Sequence, residues 1–227
     1  MDMAPVLAQL EAAAAAKKLS AGATENIRAW LTEPRYAQYA AQVAEHLAAA
    51  KWKELDDAFW TIIPFGTGGR RGRMYPIGSN AINDRTIGES AQGLADYVKD
   101  TLPAGTELAC AIAYDTRHRS RHFAELCSRI MAAAGFKVYF LDGYRSTPEV
   151  SFAVRYKKCS CGIMVTASHN PPSDNAVKAY WSTGGQLLPP HDRGVIDRVM
   201  NVQVIEQTDF NQALASGQIV YCQEEVD

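Results

Sequence analysis

The sequence predicts an α/β domain assembled from strand–helix units and preceded by an α-helical N-terminal extension. Residues 6–47 are rich in Ala, a strong helix former, and are interrupted only at Ser20-Ala21-Gly22 and at Glu33-Pro34. After Trp60, apolar runs of five to seven residues alternate with helical patterns across glycine-rich turns, the grammar of βα units. At 227 residues and 47% hydrophobic content, the chain is long enough to bury a sizeable core.

In chain order, two or three short helices are expected before residue 48, with Thr24 capping the second and Pro34 opening the third, where its missing N–H costs nothing. A strand is expected at 61–65, a loop at 66–72, and a helix at 84–99 whose Ile87, Ala91, Leu94, Ala95 and Val98 recur at helical spacing. Residues 108–114 read as a buried strand. Ser120 is placed to cap a helix running to about residue 134, where Gly135 stops it. A strand at 136–141, a helix at 148–156 started by Thr147-Pro148 and a strand at 162–166 follow. Two prolines, Ser and Asp make 170–175 a loop, 177–181 returns as a strand, Gly184-Gly185 turns, and 192–200 is a last helix. No closing pattern is visible from Asn201 onward. The expected division is therefore a helical extension at 1–52, a principal domain at 53–200, and a linker with the start of a further domain at 201–227.

Charge and composition narrow the function. With 23 Lys and Arg against 25 Asp and Glu, the formal charge is -2, so no whole-chain field recruits nucleic acid or an anionic membrane. Any anion site must be local. No apolar run approaches the roughly 20 residues of a membrane helix. An odd number of cysteines, five, and an N-terminus without a basic and then apolar leader suggest reduced thiols and a cytoplasmic location.

Three loops fall where strands end, the place at which ligands gather in α/β sheets. Phe65-Gly66-Thr67-Gly68-Gly69-Arg70-Arg71-Gly72-Arg73 combines glycines that let backbone approach a ligand with three forked cations, which suits phosphate. It is neither a P-loop nor a dinucleotide fingerprint. Tyr114-Asp115-Thr116-Arg117-His118-Arg119-Ser120-Arg121-His122 gathers cations at a helix N-terminus, against the helix dipole, a conflict that a nearby anion or Asp115 would relieve. His118 and His122 have the spacing of a zincin but Arg119 stands where Glu is required, and Cys159-Ser160-Cys161 lacks a second ligand pair, so zinc is not expected. In Thr166-Ala167-Ser168-His169-Asn170-Pro171-Pro172, the prolines stiffen a turn that presents Ser168 and His169. A serine hydroxyl needs a neighbouring group to move its proton, and Lys178, brought back by the turn at 173–176, is the candidate, with Tyr180 on its strand face.

Taken together and in this order, the three loops, with Asn83-Asp84-Arg85-Thr86, Ser146-Thr147-Pro148-Glu149 and Pro190-His191-Asp192, resemble the first domain of the α-D-phosphohexomutase superfamily, most closely its phosphoglucomutase–phosphopentomutase branch. The resemblance implies a layered α/β/α domain with a mixed, mostly parallel sheet. It implies an intramolecular phosphotransferase that moves a phosphoryl group between the 1- and 6- (or 5-) hydroxyls of a sugar phosphate through a phosphoserine and a sugar bisphosphate. By the same resemblance Ser168 carries the phosphate, Lys178 is the general acid/base, His169 is an active-site histidine, and Thr67, Arg71 and Arg117 bind phosphate. Mg²⁺ would reach Ser168 through its phosphate and take its other ligands from an Asp-Gly-Asp-type loop on a second domain. A sugar 1,6-bisphosphate would act as activator.

Asn175-Ala176 stands where the family often has Asn-Gly, and Arg70 replaces a more common small or apolar residue. No Asp-Gly-Asp loop, Gly-Glu-x-Ser sugar loop or C-terminal phosphate-binding domain is found, so the missing domains become the expected partner and the chain alone is expected to be inactive. The competing expectation is a catalytically incomplete domain that binds phosphate or a sugar phosphate. A serine hydrolase using Ser168 and His169 is disfavoured, because no Gly-x-Ser-x-Gly elbow occurs.

Overall fold

The computed structural model describes residues 2–66 and 68–226. They form two compact units, one comprising the residues up to Pro64 with Gly72–Asn83, the other Phe65–Arg71 with the residues from Asp84 onward.

The first unit is helical: α1 (Ala4–Ala15), α2 (Ala21–Thr32), a 3-10 turn (Pro34–Tyr39), α3 (Ala40–Ala48) and α4 (Trp52–Phe59). Leu10, Ile27, Trp30, Val43, Leu47, Leu55 and Phe59 form its core, and Trp30 stacks on Tyr36 at 4.7 Å and meets Phe59 edge-on at 5.3 Å. Aromatic contacts of this kind add to simple area burial. Ser20, not Thr24, caps α2: its Oγ accepts from the Ala23 N–H, while Thr24 lies inside the first turn and donates its hydroxyl to the Ser20 carbonyl. Pro34 opens the 3-10 turn. The strand expected at 61–65 does not form. Ile63 and Phe65 are buried with Ile62 exposed, the alternation that suggested it, but the Ile63 N–H bonds the Ser79 carbonyl as a loop contact.

The second unit is an α/β/α layer built on a six-stranded mixed sheet. Its strands are β1 (Gly69–Arg73), β2 (Ala109–Tyr114), β3 (Lys137–Tyr144), β4 (Cys161–Val165), β5 (Asp174–Trp181) and β6 (Ile219–Tyr221), in spatial order β1-β5-β4-β2-β3-β6. β2 is parallel to β3 and β4, β3 is parallel to β6, and β5 is antiparallel to β4. Every β2 residue is buried, as a strand covered on both faces requires. α5 (Asp84–Thr101), α6 (Ser120–Ala133), α8 (His191–Asn201) and α9 (Phe210–Ala215) pack together, with α6 lying on β2, β3 and β4; α7 (Thr147–Tyr156) and α10 (Gln223–Val226) pack separately.

Four local differences from the sequence reading have physical causes. β1 replaces part of the loop expected at 66–72, because Gly69 has no side chain: a Cβ there would lie 2.2 Å from the Val177 carbonyl oxygen of β5. Ser120 is the first helical residue of α6 rather than its cap, since its hydroxyl is used on Asp115, and Arg119 takes the preceding position with φ 62°. α7 is started by Ser146 and Glu149 in a reciprocal capping box. Beyond Asn201, α9 and the three-residue β6 fold back to complete the β3 edge of the sheet; elements of six and three residues are too short to leave a periodic signature. Gly135 ends α6 in the left-handed conformation, as expected. Among the described residues no helix is long and apolar enough to cross a membrane.

Candidate active site around Ser168

The site is built where β4 ends. Thr166 and Ala167 are still buried, but the chain then bends and exposes Ser168, whose φ of 58° is left-handed. For a residue with a side chain this conformation costs about 1–3 kcal/mol and persists only where the surroundings enforce it. The Ser168 hydroxyl lies 3.4 Å from His169 Nδ1. Beside it an open cleft of about 300 Å³ is lined by Asp115, Thr116, Arg117, His118, Ser168, Asn170 and Pro172.

Lys178 is on β5, opposite Met164 in the antiparallel register, and Tyr180 on the same strand face is buried in the α7-side core. Burial, and then the charge of Arg71, hold the Lys178 ammonium below its ordinary value of 10.5; Asp115, which lines the cleft, partly offsets them. Arg71 is exposed on β1, brought to β5 by the close approach at Gly69 and by the Ala179 N–H to Gly68 carbonyl bond of 2.9 Å. Among the described residues neither Arg71 nor Lys178 is in an ion pair. Ser168, His169 and the Lys178–Arg71 pair are thus all presented by the loops and strands around β4 and β5. Thr67 lies outside the described residues.

Arg117, which the family resemblance gives as a phosphate ligand, is tied to the Ser168 loop. Its Nη1 donates to the Pro171 and Asp174 carbonyls at 2.8 and 3.1 Å, and its Nη2 to the Ser168 and Asn170 carbonyls at 2.7 and 2.6 Å. Its Nε faces Asp115 Oδ2 at 3.5 Å. A guanidinium has five N–H groups, and the four on its Nη atoms are all given to carbonyls. The three-arginine reading of the first loop is likewise narrowed. Arg70 is buried, with Nη1 on Glu89 Oε2 at 2.9 Å and on the Thr86 carbonyl at 3.0 Å, and Glu89 also receives Arg85 Nε at 2.8 Å. Arg73 falls in the helical unit.

The cations at the start of α6 are answered from α5: Asp84 Oδ1 takes Arg119 Nη2 and His122 Nε2, each at 2.8 Å. Burial alone would raise the Asp84 carboxyl, but the His122 hydrogen bond and charge, with Arg119 and Arg129, outweigh it and hold the group below 3.8. Sequence reasoning named Asp115 only as a possible counter-charge and missed Asp84; an Asp-x-Arg pair at the carboxyl end of a strand was the available signal for the first. The five cysteines are unbridged and buried, and burial pushes the Cys127 and Cys159 thiols up to about 12. No group of three or more His, Cys, Asp or Glu side chains able to hold a metal ion occurs among the described residues, so these residues alone do not fit a Mg²⁺ site.

The chain is thus a mixed α/β/α domain that presents a serine on a bend at the end of a sheet strand, where ligands gather in α/β sheets. Residues 63–205 match the family described as phosphoglucomutase/phosphomannomutase, alpha/beta/alpha domain I. The chain belongs to the phosphoglucomutase/phosphomannomutase family. It is 34% identical over 210 residues to a Saccharomyces cerevisiae phosphoribomutase, covering 88% of this chain and 33% of that protein. It is 34% identical over 172 residues to a Homo sapiens phosphopentomutase, covering 73% and 28%. A Thermus thermophilus crystal structure, described as a candidate phosphomannomutase, superposes with a TM-score of 0.59 at 28% identity, covering 72% of this chain and 34% of that one. The chain spans about a third of the length of the relatives it matches, and these relatives are mutases.

Proposed function

We propose that this domain serves a phosphosugar mutase in which Ser168 is the phosphoryl carrier, moving phosphate between the 1- and 6- (or 5-) hydroxyls of a sugar phosphate by way of a sugar bisphosphate. The observation that carries the reading is Ser168 itself: an exposed hydroxyl on a left-handed bend, at the edge of a cleft, with Arg71 and Lys178, in no ion pair among the described residues, on the strands of the same sheet. A phosphoserine carries about -1.5 to -2 charge at neutral pH, and cations only partly offset by a carboxylate are what such a group needs.

In the transfer, a sugar hydroxyl oxygen bonds phosphorus as the bond from phosphorus to Ser168 Oγ breaks. The proton leaves the sugar hydroxyl for the neutral amine of Lys178 and ends on Ser168 Oγ, so charge and atoms balance. A lowered Lys178 makes that amine available closer to neutral pH than an ordinary lysine would. Arg71 spreads the charge of the transferring group, and the rigid bend supplies in-line geometry, which matters more than base strength in a loose transition state. His169, in reach of Oγ, orients the hydroxyl. The family's Mg²⁺ would add further charge neutralisation; its remaining ligands and the groups that read the sugar would come from other domains, and the 227-residue chain alone is expected to show no turnover.

The test is mass analysis of the longer protein after exposure to a sugar 1,6-bisphosphate. One phosphoryl group is expected, on Ser168. Full mutase activity in a Ser168→Ala protein would overturn the assignment.

A further inference from the structure

Ser168 is held through both polar groups of its own backbone, and the two lines of contact converge on one residue pair. Its N–H donates to Thr166 Oγ1 at 3.0 Å, and the Thr166 hydroxyl in turn donates to Asp115 Oδ2. Its carbonyl accepts from Arg117 Nη2 at 2.7 Å, and Arg117 Nε faces that same Asp115 oxygen at 3.5 Å. Asp115 is fixed from its other oxygen, which accepts from the Arg117 N–H at 3.0 Å and from Ser120 Oγ at 2.8 Å. Asn175, at the start of β5, adds a further tie by donating to Ser120 Oγ at 3.0 Å.

We infer that Asp115 and Arg117 act as a positioning device for Ser168, using a single partly buried ion pair to fix the left-handed bend and so the direction in which the hydroxyl leaves the loop. The inference rests on Ser168 being the phosphoryl carrier. The physical argument is one of over-determination. Four carbonyls spread over residues 168–174 turn to one guanidinium whose side chain is 11% exposed, while the exposed Ser168 side chain is among the groups that line the cleft. Strained backbone at a functional position survives when several such bonds enforce it. A planar fork can take four carbonyls at once; the point charge of a lysine cannot. Arg117 therefore sets the geometry of the transfer without touching phosphate, and the charge of a phosphoserine is left to Arg71 and Lys178.

The experiment compares the 227-residue chain with its Arg117→Lys, Thr166→Val and Thr166→Ser variants by NMR, reading the Ser168 amide exchange rate and the HN–Hα coupling that reports its φ. In parallel the longer protein carrying the same changes is assayed for phosphorylation of Ser168 by a sugar 1,6-bisphosphate. Arg117→Lys and Thr166→Val are expected to speed exchange of the Ser168 amide at least tenfold, shift the coupling, and slow phosphorylation at least tenfold at saturating bisphosphate with half-saturation little changed. Thr166→Ser, which keeps the hydroxyl, restores all three. If Ser168 is labelled and the variants keep both wild-type exchange and wild-type rate, the positioning role is overturned while the carrier role stands. If the wild-type protein takes no phosphoryl group at all, the carrier role fails, and the positioning inference falls with it. Should Arg117→Lys not fold, the Thr166 pair decides alone, because the helix and sheet cores do not depend on that hydroxyl.

Discussion

Arg70 and Arg71 are consecutive on β1, and the pleat of a strand sends neighbouring side chains to opposite faces. Arg70 goes inward and meets Glu89, which also holds Arg85, so two guanidiniums and one carboxylate close on each other out of water. Arg71 goes outward toward Lys178, and there two cations meet with only Asp115 as a partial offset. The first arrangement is buried around a shared carboxylate and serves the fold. The second has two cations in no ion pair among the described residues, and Asp115, the carboxylate that partly offsets it, lines the cleft with Ser168. The difference teaches that arginine content in a glycine-rich loop says little; what identifies an anion site is cations whose counter-charge the fold withholds.

The largest effect that tests this contrast is on stability. Replacing Glu89 by Leu strands two buried guanidiniums and is expected to cost about 3–5 kcal/mol, read from the midpoint of urea unfolding. Arg71→Ala, at an exposed position, is expected to stay within about 0.5 kcal/mol. Equal losses would erase the distinction between the two clusters.

A smaller effect comes from ligand. Inorganic phosphate at ten times its dissociation constant should stabilise the chain by about 1.4 kcal/mol in thermal melts. Arg71→Ala or Lys178→Met should abolish that gain, whereas Arg117→Lys should retain it, since the four Nη N–H groups of Arg117 are already given to carbonyls.

The pH dependence sharpens the contrast further. Because Lys178 is held below 10.5 in the folded chain, the unfolded chain binds more protons in the window beneath that value, and stability rises with pH there. The penalty is fully present below the folded value and is gone above 10.5. Lys178→Met should remove this rise from a series of alkaline melts; an unchanged series would mean that burial and Arg71 do not depress the ammonium. Asp84 has the opposite sense. Its carboxyl is held below 3.8, so its contribution is present above that value and is lost as pH falls through the folded one. Asp84→Asn should cost no more than about 1 kcal/mol at pH 7, as an exposed ion pair does, and nothing in strong acid.

Much of the fold was legible because it rests on local signals. Apolar runs such as 108–114 can only be buried strands, Gly135 stops a helix through its own backbone freedom, and the spacing from Ile87 to Val98 is one face of α5. The sheet edge at β6 was not legible, because a three-residue strand has no period to read. Neither was β1, whose strand character depends on Gly69 lying against Val177, far away in the sequence.

Within the site the division is similar. The order of residues by itself pointed to the turn that presents Ser168 and to Lys178 as its neighbour, since these follow from residue type and short spacing, whereas Arg71 was singled out among three loop arginines only by the family resemblance. Only tertiary structure decided where the other arginines go: Arg70 meets a carboxylate 19 positions away, the Nη groups of Arg117 meet carbonyls more than 50 positions away, and Arg119 meets Asp84 across 35. The physical reason is that a charge is spent or free according to what lies within a few ångströms of it, and those neighbours are set by how β1, β4, β5 and α5 pack, not by the residues beside it in the chain.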